Sequence, residues 1–596
     1  LVVKTRVPIA LAGASALLVL GGGLALFVGL VVGGGAEPLI LVDPGEAVRY
    51  GLPIAKGLVN FGAALAIGSL LVAAFALSAT TPAFDTALLV AAVGGALWTV
   101  SAGVTGFVTF LAVYLEPISP SKEFGDVLWL FMTETDVGLA WLITTGMAAT
   151  VSVMALMVRS YALVALTGVI AVFALWPLAE QGHAAGSANH GLAVSSSFVH
   201  AVFAAFWIGG LVTMAVIVWA QRPAAKEFAT ILARYSTIAL VSFIAVAASG
   251  VANAVLRIGS CEGLLSGYGV LVLAKVVALT VLGLFGVSYR RSLLGKLSAS
   301  RATTAVMARV MGAELAVMGV ASGLAAALAR TQTPVPEITT DQVTQATPAE
   351  ILTGEALPPE FMWGHVVTQW RVELIWALIV AFGIFFYVAG HIRLARRGDH
   401  WPIARTVSWV AGMVLLAIAT QSGLAFYGVY LFSVHMMGHM ILSMAVPLLL
   451  VLSAPVTLAS RAIVARKDGS RGAREWILGL VHSRYLAVLG HPVVAASIFA
   501  LSLIVFYYSP LFEWAVEEHV GHQWMILHFV FSGYLFAQAL VGVDPSPHNP
   551  PYPLRLIIVF ATMAFHAFFG LSLIYGTGLL APAWYGAMGR EWGLSP

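Results

Sequence analysis

Fifteen apolar runs, each of a length that crosses a bilayer, leave this chain one kind of fold. A hydrocarbon core of about 30 Å takes around 20 helical residues. Runs of that order fall at 8–34, 53–79, 86–115, 136–158, 161–181, 194–219, 228–254, 268–289 and 306–329. Six more follow at 372–391, 403–423, 428–453, 487–509, 520–542 and 555–577. Backbone polar groups in lipid must be paired within the protein, and a helix pairs its own. Charged residues make up 10% of the 596, against roughly 25% in soluble domains. Too few remain to cover a water-facing surface. The expectation is an all-α polytopic membrane protein of about 15 transmembrane helices in two bundles.

Lys4 and Arg6 ahead of the first run resemble the start of a secretory signal. The apolar stretch 8–35 is much longer than a signal core of about 7–15 residues, so it reads as a first membrane anchor. The one segment too polar for lipid is TQTPVPEITTDQVTQATPAEILTGEALPPEF, residues 331–361. It divides the chain into a nine-span part (1–330), a polar extracytoplasmic linker (331–364) and a six-span part (365–596). Cys261 is the sole cysteine, which removes disulfide frameworks and thiolate metal sites. A metal here would be held by histidine, methionine or carboxylate.

Loop charges set the expected orientation. Basic clusters at Lys4/Arg6, Arg222/Lys226, Arg290/Arg291/Lys296/Arg301, Arg393/Arg396/Arg397/Arg405 and 461–484 fall on one side if every span is real. By the positive-inside rule the N-terminus is cytoplasmic and the C-terminus outside. Ten of the 15 histidines then lie outside or in the outer leaflet: His183, His190, His200, His365, His435, His439, His519, His522, His528 and His566. His391, His400, His482, His491 and His548 fall on the cytoplasmic side.

The sharpest constellation is His435-Met436-Met437-Gly438-His439-Met440. Histidines four apart share a helix face and can approach one ion together. Met436, Met440 and Met444 form an adjoining stripe, and a methionine stands three residues before a histidine in three spans: Met436/His439, Met525/His528 and Met563/His566. Imidazole with thioether suits copper, and thioether suits Cu(I) in particular. Against this, methionine commonly fills apolar helix contacts, and a lone intramembrane histidine can simply bond across helices. Three such pairs at matching depth favour the metal. A haem protein using the outer histidines as axial ligands is the alternative. Ligands to a haem come from opposite sides of its plane, which two histidines on one helix face cannot supply.

In the first part, His200 and Trp207 stand seven apart ahead of Gly209-Gly210, and Ser249-Gly250 with Asn253 offers small and polar residues for a close crossing. Lys275 either forms half of a buried pair or snorkels outward. No GxxxxGK[ST] loop is present, and neither paired carboxylates nor a Ser/His/Asp arrangement stands out, so ATP-driven pumping and a hydrolytic site are not expected and the chain does not read as an enzyme.

Two resemblances follow from these motifs. The segment His200…Trp207-Ile-Gly-Gly-Leu with Ser249-Gly250…Asn253-Ala254…Arg257-Ile258 resembles the CopD copper-resistance family, best over 160–330. His435-Met-Met-Gly-His439-Met440, Gly490-His491-Pro492, His522…His528 and His566-Ala-Phe-Phe-Gly570 resemble the CtaG family of cytochrome c oxidase assembly factors, over about 365–596. Their order is similar to the CopD–CtaG fusions of actinobacteria, while the first four spans match neither strongly. The resemblance implies a multi-pass protein of the bacterial plasma membrane that handles copper at the outer face. It implies oxidase subunits or a copper chaperone as partners, lipid as solvent, and no nucleic acid. Carried over, it supports His435, His439, His528 and His566 as ligands, and His200 with less weight. Met436, Met440, Met525, Met563, His522, His183 and His190 complete the candidates.

Overall fold

A computed structural model describes residues 2–38, 43–115, 118–181, 189–288, 303–335, 346–546, 548, 550–576 and 578–593. Among them the regular elements are helices, with no strand. Fourteen helices are long and apolar enough to cross a membrane, and a fifteenth crossing counts only if one sharply bent pair is taken as a single span. The chain forms two compact units. The first comprises Leu1–Ala185, Ala193–Glu337 and Lys467–Arg471; the second comprises Gly186–Leu192, Ile338–Arg466 and Gly472–Pro596.

Small residues set the packing of the first unit. The Glu46–Phe75 and His190–Gln221 helices meet where Gly68 faces Gly209. A Cβ on Gly209 would run into the carbonyl of Ala64, so only glycine lets the two backbones come this close. Beside that crossing the hydroxyls of Ser69 and Thr213 bond at 2.7 Å, both fully buried. The short segment Lys467–Arg471 also belongs to this unit. Its Asp468 pairs with Arg234 at 2.8 Å, and Tyr161 donates to the carbonyl of Gly469 at 3.0 Å.

In the second unit two expected spans depart from regular helices. The run 487–509 becomes Pro492–Tyr507, followed at a 75° bend by Pro510–Glu517. Proline is tolerated in a first helical turn but not in an interior. Pro492 therefore starts one helix and Pro510 the next, with Ser509 capping the second by accepting from Leu511 N–H. Sixteen residues reach about 24 Å, short of the hydrocarbon core.

The run 428–453 is broken too. A helix over Phe432–Met440 gives way to a π-turn at Ile441–Ala445 and resumes at Val446–Leu452. Pro447 has no N–H for the carbonyl of Ser443, and Gly533 of the His519–Val541 helix lies against that carbonyl. π-turns of this kind are frequent at functional sites. Tyr430, Leu442, Phe506, Tyr507, Phe512, Met525, Phe529 and Tyr585 join the buried core of this unit. The C-terminal part of the polar segment is built into the same core. Thr347 and Glu350 close a capping box, which places Ala349 fully inside.

Candidate metal centre

His435 and His439 project from one face of the Phe432–Met440 helix into that aromatic core. They are 8% and 2% exposed, and their ring centroids stand 5.8 Å apart. A third ring, His522 from the His519–Val541 helix, lies 6.4 Å from His435. The walls are rings: Phe512 at 5.5 Å and Tyr585 at 6.4 Å from His435, and Phe529 at 3.6 Å edge-on to His439.

What these rings do with their nitrogens defines the site. Tyr507 Oη is hydrogen-bonded to Nδ1 of His439. The carbonyl of Gly428 faces His435 as a hydrogen-bond acceptor, and the carbonyl of Ala515 does the same for His522. The Nε2 atoms of His435 and His439 are buried and have no hydrogen-bond partner among the described residues. A buried polar atom left unpaired costs about 1–3 kcal/mol. An Nδ1–H given to Gly428 or Tyr507 leaves Nε2 with its lone pair free, which is the tautomer a metal requires. Among the described residues no three His, Cys, Asp or Glu side chains cluster as a metal site.

The other sequence candidates divide by position. Met436 packs against the same core, Met525 is buried within it, and Met440 is half-buried one residue past His439. His528 stacks on Trp524 at 5.1 Å and meets Phe529 edge-on. His566 instead bonds the carbonyl of Thr562 in its own helix and stacks on Phe499 at 4.9 Å, while Met563 is 60% exposed. No ring contact joins His566 to His435, His439 or His522 among the described residues. Thus one of the three Met/His pairs sits on a different side of its helix packing. His183 lies outside the described residues.

Sequence reasoning passed over several neighbours. Tyr507 and Tyr585 read as ordinary core aromatics because their partners are far away in the chain. His519 extends the row of imidazoles. It lies within electrostatic reach of both His522 and His190. Glu373 stands 3.8 Å from His519 Nε2, and Gln523 bridges His519 at 3.3 Å and Trp376 at 2.6 Å. The spacing of His519 and His522, three residues apart at a helix start, was the available signal.

In the first unit His200 is enclosed differently. Its Nδ1 bonds Ser249 Oγ at 3.0 Å, and Lys275 Nζ stands 3.5 Å from its Nε2. Lys275 thus forms a half-buried pair with a histidine.

Comparison with known families agrees with this division. Residues 385–596 match the family described as cytochrome c oxidase caa3 assembly factor, and residues 229–328 match copper resistance protein D. Residues 46–194 match the copper resistance protein D-like N-terminal domain, which corrects the expectation that the first four spans resemble neither family. An uncharacterised protein of Mycobacterium leprae (strain TN) is 42% identical over 245 residues, 41% of this chain. Uncharacterised proteins of Mycobacterium bovis and Mycobacterium tuberculosis are each 41% identical over 247 residues. The match spans 37% of the length of each of these relatives. No solved structure matches significantly. The matched families and the many apolar helices support a multi-pass protein of a bacterial plasma membrane. They fall in the order of a fusion, joining a copper-resistance D part to a caa3-type cytochrome c oxidase assembly-factor part.

Proposed function

We propose that the second unit binds Cu(I) between His435 and His439 at the outer face of the membrane and hands it on for cytochrome c oxidase assembly. One observation carries this reading: two neighbouring buried Nε2 atoms with no hydrogen-bond partner among the described residues. Met436, Met440 and Met525 supply thioether nearby, and imidazole with thioether is a copper-selective donor set. Copper is cargo in this scheme. It moves by exchange between low-coordinate ligands, with no covalent chemistry.

His522, His519 and His190 extend the row of imidazoles beyond His435, giving the ion successive stations. The loop charges support an extracytoplasmic position for these stations, where oxidase subunits or a copper chaperone would receive the metal. The first unit would supply or withdraw copper along its own path.

Metal analysis of the purified full chain tests the reading. The parent protein takes up Cu(I), and His435→Ala with His439→Ala together removes one equivalent. Unchanged copper content in that double variant refutes it. An optical spectrum of the same preparation distinguishes haem, because a Soret band would make the histidines axial ligands instead.

A further inference from the structure

Two histidines of the second unit stand apart from the site around His435. His491 lies in Gly490-His491-Pro492, and His548 in the loop Asp544-Pro-Ser-Pro-His548-Asn-Pro-Pro551. His491 precedes the Pro492–Tyr507 helix at a position where serine, threonine, aspartate or asparagine usually caps, yet its imidazole makes no capping bond. It meets the ring of His548 instead, at a centroid distance of 5.1 Å and an interplanar angle of 76°. Nδ1 of His548 is buried and has no hydrogen-bond partner among the described residues. Edge-to-face packing leaves that unpaired nitrogen at a cost of about 1–3 kcal/mol. With the ring proton on Nε2, Nδ1 offers its lone pair to a metal.

The backbone holds both rings where they are. Asp544, at the head of the loop, accepts from the N–H groups of Val456 and Thr457 at 3.0 and 2.8 Å. At its tail, Arg555 donates to the carbonyls of Pro550 and Leu540, each at 2.9 Å. Pro545, Pro550 and Pro551 fix φ along the way. His491 donates its own N–H to the carbonyl of Val488 at 3.1 Å. Its ring is exposed while His548 is half-buried, so the pair is open to an arriving ion.

Their position mirrors that of the first site. Tyr507, which is bonded to His439, ends the helix that His491 begins, and its 16 residues separate the two by about 24 Å. The His519–Val541 helix likewise has His522 in its first turn and is followed by the loop of His548. The loop charges support a cytoplasmic position for this end.

We propose that His491 and His548 form a second Cu(I) site, at the opposite end of the same helices from His435 and His439. Imidazole suits copper, whereas Zn(II) takes four protein ligands in a closed site, and no three His, Cys, Asp or Glu cluster among the described residues. The identity of the ion rests on the copper-handling reading. The site goes beyond that reading, since it gives the second unit an imidazole pair at each end and lets copper be held at both faces of the membrane.

The test counts Cu(I) equivalents on the purified full chain in competition with the chromophoric chelator bicinchoninate. His491→Ala with His548→Ala should bind one equivalent fewer than the parent, and adding His435→Ala and His439→Ala should remove a second. Loss in the first pair alone sustains this site and refutes the outer one; loss in the second pair alone does the reverse. His482, bonded to the carbonyl of Leu478 at 2.7 Å, is the nearby control, and His482→Ala should bind as the parent does. The unaltered chain gives a reading that needs no variant to fold. Diethylpyrocarbonate modifies free imidazoles, and Cu(I) should protect His491 and His548 but not His482, as read by peptide mass spectrometry. Parent stoichiometry in the His491→Ala, His548→Ala variant, an equal loss in His482→Ala, or no protection by Cu(I) would overturn the proposal.

Discussion

Tyr507 is buried beside His439, and its hydroxyl can be removed while the ring keeps its packing against the walls of the site. Its ring packs on Phe512 at 4.9 Å and Phe569 at 5.9 Å, and Tyr507→Phe keeps both contacts. What is lost is the bond to Nδ1 of His439. Two costs follow. A buried nitrogen left without its partner destabilises the fold by about 1–3 kcal/mol. In the tautomer that gives Nδ1–H to Tyr507, loss of this bond also frees the ring from presenting Nε2 as the lone-pair nitrogen. Partners of this kind typically contribute about 10–100-fold to metal affinity, or about 1.4–2.7 kcal/mol. Tyr507→Phe should therefore weaken Cu(I) binding by one to two orders of magnitude while leaving the stoichiometry intact. Titration of the full chain against bicinchoninate measures this directly. An affinity within about threefold of the parent's would refute the claim that Tyr507 orients a copper ligand.

Other outcomes follow from the same contacts. His566→Ala should leave copper stoichiometry unchanged, because that ring is bonded to Thr562 and stacked on Phe499; loss of an equivalent by metal analysis would place His566 in the site. Gly209→Ala should lower thermal stability by about 1–3 kcal/mol in a detergent unfolding assay, since the added methyl meets the carbonyl of Ala64. A variant as stable as the parent would show that this crossing has room. Asp468 gives a pH signature. Burial pushes its carboxyl up, but hydrogen bonds from Ser470 and Arg234 and the Arg234 charge outweigh it and hold the group at about 2. A folded value below the unfolded one of 3.8 means that the stabilisation is complete above pH 3.8 and fades as pH falls toward about 2. Asp468→Asn should flatten the stability profile in that window, and an unaltered profile would show that the pair contributes nothing.

The legible part of this protein is what periodicity and length determine. Span positions and the shared face of His435 and His439 depend on local sequence, and the described helices follow them but for the breaks below. The departures come from single residues with strong local preferences. Pro492 and Pro510 delimit a shortened helix inside one apolar run, and Pro447 opens a π-turn inside another. Hydropathy averages over such positions and does not register them. Contacts between distant helices were out of reach as well. Tyr507 and His439 are 68 residues apart, and the 6.4 Å approach of His522 to His435 depends on how two helices pack. Met563 and His566 illustrate the converse. Their spacing repeats that of Met436 and His439, yet spacing fixes only the relative face within a helix, and packing turned Met563 outward.

X-ray absorption at the copper edge of the Cu(I)-loaded full chain tests the central claim most directly. The account predicts a low-coordinate shell containing imidazole nitrogen, with thioether sulfur, that is lost in the His435→Ala, His439→Ala double variant. An identical spectrum from that double variant, or a shell of oxygen alone in the parent, would contradict it.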